Sequence, residues 1–205
     1  QGIFARDCKD IEQLRIVIKN RVRGFKMSEY KMIVLDLDGT LTNRNKEITP
    51  KTKETLMKAQ EQGKIVVLAS GRPTYGVMPL AEELHLEDYG GYILSFNGGI
   101  IMNCKTKEVV FSRQIPAESN GKIIDLAQEH NVSILTYENR TLLTNCPEDQ
   151  YVQLESRINI LKIISMTTEE LKAYVTFSVP KFLMTDDGDY LAMVEPKVKA
   201  ALGKN

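Results

Sequence analysis

Histidine and cysteine are scarce in this chain of 205 residues, tryptophan is absent, and neither sign of charge is in excess. Each shortage closes off a class of function. The two histidines, His85 and His130, stand alone. They leave no histidine-rich metal site and no Ser-His-Asp triad, and each is expected at the surface near a helix end. The three cysteines, Cys8, Cys104 and Cys146, form no Cys-x-x-Cys pair. The expectation is free thiols in a reducing cytoplasm, not a disulfide framework or a zinc site. Lys and Arg together number 27, as do Asp and Glu. A nucleic-acid or membrane-surface partner would call for a basic excess, so neither is expected. No apolar run approaches the ~20 residues of a membrane-spanning helix. Thirteen glycines and seven prolines are too few for a low-complexity chain. The length suffices to bury a real core, in one large domain or two small ones.

Residues 1–26 carry seven Lys and Arg against three Asp and Glu and lack the continuous apolar stretch of a secretion signal. The chain begins with Gln, and Met27 stands just before a strand pattern. Met27 is therefore expected to be the natural start, with 1–26 a translated upstream stretch. The rival reading is an amphipathic helix using Ile11, Leu14, Ile18 and Val22. Neither reading assigns the segment any chemistry.

Beyond it, apolar runs and helical patterns alternate. Lys31 to Leu35 reads as a strand buried on both faces, ending at Asp36-Leu37-Asp38-Gly39-Thr40. Thr49-Pro50 opens a helix and Gly63 closes it. Ile65 to Ala69 is a second buried strand, ending at Ser70-Gly71-Arg72-Pro73, and a helical stretch follows to about Leu86. Tyr92 to Phe96 is a third strand, ending at Asn97-Gly98-Gly99. This alternation predicts an α/β fold with a parallel sheet covered by helices. In such sheets the site lies beyond the carboxyl ends of the strands. Asp36, Asp38, Ser70, Arg72 and Asn97 are thus expected to converge.

From about residue 100 the pattern changes. Ile100–Asn103 with Glu108–Ser112, Ser133–Tyr137 with Arg140–Thr144, and Lys181–Thr185 with Tyr190–Val194 read as hairpins; the last pair flanks the turn sequence Asp186-Asp187-Gly188-Asp189. Pro116 to Glu129, Asp149 to Ile158 and Pro196 to Leu202 read as helices. A second, α+β domain is expected from about residue 114. The division is an extension over 1–26, a first domain over 27–113 and a second over 114–205.

Asp36 and Asp38 are two apart at a strand end, so their side chains can start on one side. A carboxylate there can attack phosphorus and form an aspartyl-phosphate. A second carboxyl, when protonated, can protonate the leaving oxygen and later take a proton from water. A hard divalent cation on carboxylate oxygen would neutralise the phosphate. Gly39 permits a sharp turn, Thr40 offers a hydroxyl and an N–H, Ser70 can donate to a phosphate oxygen, and Gly71 leaves room for close approach. Alone, an Asp-x-Asp is more often a solvated turn, and Ser-Gly or Asn-Gly is usually loop. Their joint occurrence at the ends of three successive strands weighs against that.

Asp36-Leu37-Asp38-Gly39-Thr40-Leu41 resembles the first motif of the haloacid dehalogenase-like superfamily, and Leu68-Ala69-Ser70-Gly71-Arg72-Pro73 resembles its second. Ser95-Phe96-Asn97-Gly98-Gly99 is similar to the Asn-Gly segment of the Cof-type branch, largely sugar-phosphate phosphatases, which inserts an α/β cap after the third strand. The resemblance covers about residues 30–205. It implies Asp36 as nucleophile and Mg2+ ligand, and Asp38 as general acid/base with its carbonyl also on the metal. It places phosphate near Gly39, Thr40, Ser70, Gly71, Asn97 and Gly98, with Arg72 either serving the site or bracing it. It implies a small phosphorylated metabolite, a sugar phosphate, as partner; no residue implies an oligomeric state.

Two parts of the family pattern have no convincing counterpart: a lysine returning from cap to core, and a later acidic segment that completes the magnesium site. Asp186-Asp187-Gly188-Asp189 is acidic but reads as a hairpin turn, and no core strand follows Lys197, Lys199 or Lys204. The expectation is an incomplete core, and a phosphatase whose 205-residue chain is poorly active. Competing readings are a phosphomutase of the same superfamily, a metal-nucleotide-binding glycosyltransferase, a phospho-acceptor signalling domain, and an inactive fragment that only binds phosphate or a partner.

Overall fold

The computed structural model describes residues 30–203; the readings made for residues 1–26 and for Lys204 lie outside them. Two sheets organise the chain. The first has five strands in the order β1 (Met32–Asp36), β2 (Ile65–Ala69), β3 (Tyr92–Ser95), β4 (Ile100–Asn103) and β5 (Val109–Ser112). β1, β2 and β3 run parallel, as the alternating pattern predicts, and the β4–β5 hairpin joins the same sheet antiparallel to β3. Parallel neighbours need crossovers, and helices supply them. The first is α1 (Pro50–Glu61), where the Thr49 side chain accepts from the Thr52 N–H, Pro50 fills the first turn, and Gly63 follows at φ +78°. The second contains α2 (Thr74–Glu83) and the single turn α3 (Leu86–Tyr89). His85 precedes α3 and is exposed, as expected of a histidine at a helix end. Leu37, Val66, Leu68, Val77, Leu84, Leu86 and Ile93 form the fully buried centre of this unit. Among the described residues β1 is the outermost strand of the sheet, and the expectation of a strand covered on both faces fails for Met32, which is 50% exposed.

The second sheet is ordered β8-β7-β6-β9, from β6 (Ser133–Glu138), β7 (Thr141–Thr144), β8 (Lys162–Ser165) and β9 (Phe182–Thr185). α4 (Ala117–Glu129), α5 (Gln150–Asn159), α6 (Thr168–Tyr174) and α7 (Gly188–Leu202) accompany it. Ile124, Ile134, Leu135, Leu142, Leu143 and Leu171 are the largest of its fully buried side chains. The architecture is a mixed α/β one.

One hairpin reading is corrected. Lys181–Thr185 does contain strand β9, but Tyr190–Val194 is helix, not strand. Asp187 accepts hydrogen bonds from the Asp189 and Tyr190 N–H groups, so the acidic turn sequence is the N-cap of α7. Tyr190, Leu191, Val194 and Val198 then pack on the second unit's core at helical spacing. Pro196 lies inside α7 and does not begin a helix. β8 and α6 went unpredicted; α6 is fixed by a capping box between Thr167 and Glu170. Among the described residues no helix is long and apolar enough to cross a membrane.

Candidate active site

The parallel register sets the site. Asp36 at the end of β1 pairs with Ala69, which pairs with Leu94. The segments leaving β1, β2 and β3 therefore emerge side by side, with Asp36-Leu37-Asp38, Ser70-Gly71-Arg72 and Phe96-Asn97-Gly98 in one neighbourhood. The chain folds back at once after β1. Gly39 takes φ +79°, a region closed to most side chains, while the Leu41 N–H reaches the Asp36 carbonyl and the Thr42 N–H and hydroxyl both reach that of Leu37. The Thr40 N–H is used inside this turn, on the Leu37 carbonyl.

The other two turns interlock. The Ser70 N–H donates to the Leu94 carbonyl, the Asn97 N–H to the Ser70 carbonyl, and the Phe96 N–H to the Arg72 carbonyl. The Ser70 hydroxyl accepts from the Arg72 N–H at 3.1 Å, which leaves its own O–H to donate. Asn97 Oδ1 lies 2.7 Å from where a Cβ on Gly71 would stand, so any side chain there would have to push the Asn97 amide aside. Phe96, Asn97 and Gly98 take φ of +51°, +58° and +85° in succession. For Phe96 in particular this is a strained conformation, of a kind that clusters at functional sites.

The two aspartates have opposite surroundings. Arg72 grips Asp38 through Nη2 at 2.6 Å and Nε at 3.2 Å, and the Lys46 ammonium joins at 2.8 Å. Burial pushes the Asp38 carboxyl up, but the hydrogen bonds and charges of Lys46 and Arg72 outweigh it and hold the carboxyl below its usual range. Asp36 makes no ion pair among the described residues. Although the residue stays open to solvent, the protein withdraws enough water from its carboxyl to push it up, and the Asp38 charge adds to this against the Leu37 N–H and the more distant Arg72. The two carboxyls thus stand close together in opposite charge environments, Asp38 held by two cations and Asp36 by none among the described residues.

All five residues expected to converge thus lie around the ends of β1, β2 and β3, with Gly39, Gly71 and Gly98 shaping the turns. Arg72 is turned towards Asp38 and braces it. Lys46 was missed by sequence reading: it sits in an irregular loop with no periodic signal, at φ +65°. Among the described residues no three His, Cys, Asp or Glu side chains gather as a metal cluster. Asp36 and Asp38 are the acidic donors here, all hard oxygen. That set suits magnesium, which keeps several waters and takes substrate phosphate oxygens, and does not suit a metal that wants imidazole or thiolate.

Residues 33–205 match the family of haloacid dehalogenase-like hydrolases. The chain belongs to that family. A crystal structure of a haloacid dehalogenase-like hydrolase from Bacteroides thetaiotaomicron is 44% identical, with a TM-score of 0.76 over 83% of this chain and 63% of the other. The 5-amino-6-(5-phospho-D-ribitylamino)uracil phosphatase YwtE of Bacillus subtilis (strain 168) is 32% identical over 64% of this chain and 43% of its own length. The pyridoxal phosphate phosphatase YbhA of Escherichia coli (strain K12) is 24% identical over 77% and 59%. The chain spans about three-fifths of the length of the curated relatives that it matches most fully, 61% and 59% for two of them.

Proposed function

We propose that the protein is a magnesium-dependent phosphatase that hydrolyses small phosphomonoesters, sugar phosphates foremost, through an aspartyl-phosphate on Asp36. One observation carries this reading. Among the described residues Asp36 makes no ion pair at the end of β1, while Asp38, two residues on, is held by the Arg72 guanidinium and the Lys46 ammonium. Residues 27–113 form the core and residues 114–205 the cap, and the site works in the cytoplasm. Both named relatives, by their names, act on small phosphorylated compounds.

In the reaction an Asp36 oxygen attacks phosphorus as the bond to the leaving oxygen breaks. Ser70, Asn97 and the turn at Gly39-Thr40 hold the phosphoryl oxygens. Asp38 gives its proton to the leaving oxygen, then takes one from the water that releases phosphate. To carry that proton, Asp38 must loosen its pairs with Arg72 and Lys46. An incoming phosphate competes for both cations, and losing them lifts the Asp38 carboxyl towards its ordinary value. A magnesium ion held by Asp36 and Asp38 would supply neutralisation of the phosphate charge.

The test is phosphate release from hexose and pentose phosphates, with and without magnesium, by this chain and by Asp36→Asn. Release is expected to be weak, to need magnesium, and to vanish in Asp36→Asn. Release that persists in Asp36→Asn sinks the nucleophile. Isomerised sugar phosphate without free phosphate makes the protein a mutase instead.

A further inference from the structure

The most telling side chain outside the acidic pair comes from the second sheet. Lys181, just before β9, reaches over 110 residues of sequence to donate its ammonium proton to the Gly71 carbonyl at 3.1 Å. It is partly buried, and among the described residues no carboxylate lies within ion-pairing distance of it. Burial lowers its proton affinity, with only the more distant Glu155 charge opposing. An ammonium in that setting is costly to keep, so its contacts carry information about what the seam between the two units does.

Those contacts form a chain. The Lys181 ammonium lies 5.2 Å from the centre of the Tyr137 ring. That ring is fixed at its far end by a 2.6 Å hydrogen bond from its hydroxyl to Glu155. Its edge meets Phe96 at 5.4 Å between centroids, at 68°. Thus the second unit touches the first at Gly71 and at Phe96. Gly71 lies between Ser70 and Arg72. Phe96 opens the left-handed run and directly precedes Asn97. Asn97 in turn rests on Gly71. Nearby, Asn159 fills the space above Gly76, and the Arg140 guanidinium lies 5.0 Å over the Tyr75 ring. The second unit therefore seats on the segment that follows β2 and on the turn after β3, the two turns proposed to hold phosphate.

We propose that Lys181, backed by Tyr137, is a positioning residue: its bond to the Gly71 carbonyl makes the geometry of the Ser70–Arg72 and Phe96–Gly98 turns depend on the seating of the second unit. The turn at Phe96 gains from an external hold, because left-handed backbone at Phe96 and Asn97, neither of them glycine, costs energy that surrounding contacts must offset. The Tyr137 ring supplies one hold and Lys181 supplies the other through Gly71 and Asn97. Seating the second unit then assembles the phosphate contacts, and lifting it loosens them. The kinetic consequence rests on the phosphatase reading; the structural coupling does not.

The experiment compares Lys181→Met, which keeps the apolar stem, and Lys181→Arg, which keeps a donor, with the parent chain. Amide hydrogen exchange is read at Phe96 and Asn97, whose N–H groups bridge the two turns, and at Arg72, whose N–H donates to the Ser70 hydroxyl within the first. In Lys181→Met these amides are expected to exchange ~10-fold faster, while Leu68 in β2 and Leu142 in β7 stay unchanged. The kcat for phosphate release is expected to fall ~10–100-fold at nearly constant KM, the signature of misplaced groups rather than lost binding. Lys181→Arg is expected to restore most of both. Unchanged exchange at the three turn amides overturns the proposal, as does faster exchange spread equally to Leu68 and Leu142. A raised KM at constant kcat also overturns it, because Lys181 would then touch substrate. If the parent chain releases no phosphate but the turn amides respond, the positioning stands on the exchange data alone.

Discussion

The two sheets use polar side chains in contrasting ways. In the second unit, buried polar groups satisfy the backbone. Asn120 donates to the carbonyls of Val175 and Phe177, Thr136 to that of Lys181, and Thr144 to that of Ile134. Each removes the cost of an unpaired carbonyl and binds neighbouring segments together. At the strand ends of the first unit, polar groups face one another. Two carboxylates lie together, a guanidinium and an ammonium share one of them, and three residues in a row take left-handed backbone. None of this adds stability that an apolar packing could not match. Expense of that kind marks a region shaped by chemistry, whereas the other is shaped by folding.

Asp36→Asn should sharpen the contrast most. Phosphate release is expected to drop by ~10^4-fold or more, as when a nucleophile is removed from a concerted site. Stability at neutral pH is expected to rise. The folded carboxyl is pushed above its ordinary value, so the folded state holds its proton longer than the unfolded chain does. Ionisation therefore costs the fold stability as pH climbs from 3.8 through the raised value. Asn removes that slope. Urea unfolding across this range reads it, and an unchanged slope would mean that Asp36 carries no such cost.

Leu143→Ala tests the other side. Leu143 is fully buried in the second unit, in the cluster away from Tyr137 and Phe96, and its truncation is expected to cost ~2–5 kcal/mol in urea unfolding. Activity per folded molecule should survive. A loss of activity beyond the folded fraction would mean that the second unit's interior, and not only its seam, bears on the site.

Gly71→Ala is expected to have a smaller effect, ~1–3 kcal/mol, because a Cβ there meets Asn97 Oδ1. The strain should fall on the interlocked turns, so activity declines with it. Adding Asn97→Ala should relieve the stability loss without restoring activity, and a double-mutant cycle measures that coupling. Additive losses would show that the two turns do not interlock.

What was legible in the sequence follows the same division. β1 to β3 are short apolar runs cut off by Asp, Gly and Ser, so strand, turn and candidate site residue were readable together. Arg72 was found by its place in a motif, but its choice between serving and bracing depended on where Asp38 lies across 34 residues of sequence. Lys46 and Lys181 could not be found, since each acts through a contact that spacing along the chain does not encode. In the second unit, Asp187-Gly188 suits a hairpin turn and a helix N-cap equally well. The decision fell to Tyr190, Leu191, Val194 and Val198, whose helical spacing matches the face of the core they cover. Lys162–Ser165 was passed over because a four-residue strand with both end residues exposed offers almost no periodic signal.

Lys46→Met gives the smallest and most specific effect. The Lys46–Asp38 pair is half exposed, with side chains 52% and 43% accessible, so its loss should change stability at neutral pH by only a few tenths of a kcal/mol. The pH dependence is more informative. Asp38 is held below 3.8 in the folded state, so its pairs stabilise the fold above that value and the benefit fades as pH falls through the lowered one. Without Lys46 the carboxyl should move back up, and the acid-side loss of stability should shrink while Arg72 keeps part of it. Following the Asp38 carboxyl by NMR titration reads the shift directly. An upward move in Lys46→Met makes Lys46 one of two holds on this carboxyl, both of which must loosen in the proposed reaction before Asp38 carries a proton. An unmoved carboxyl leaves Arg72 as its sole keeper, and the proton step then turns on that one guanidinium.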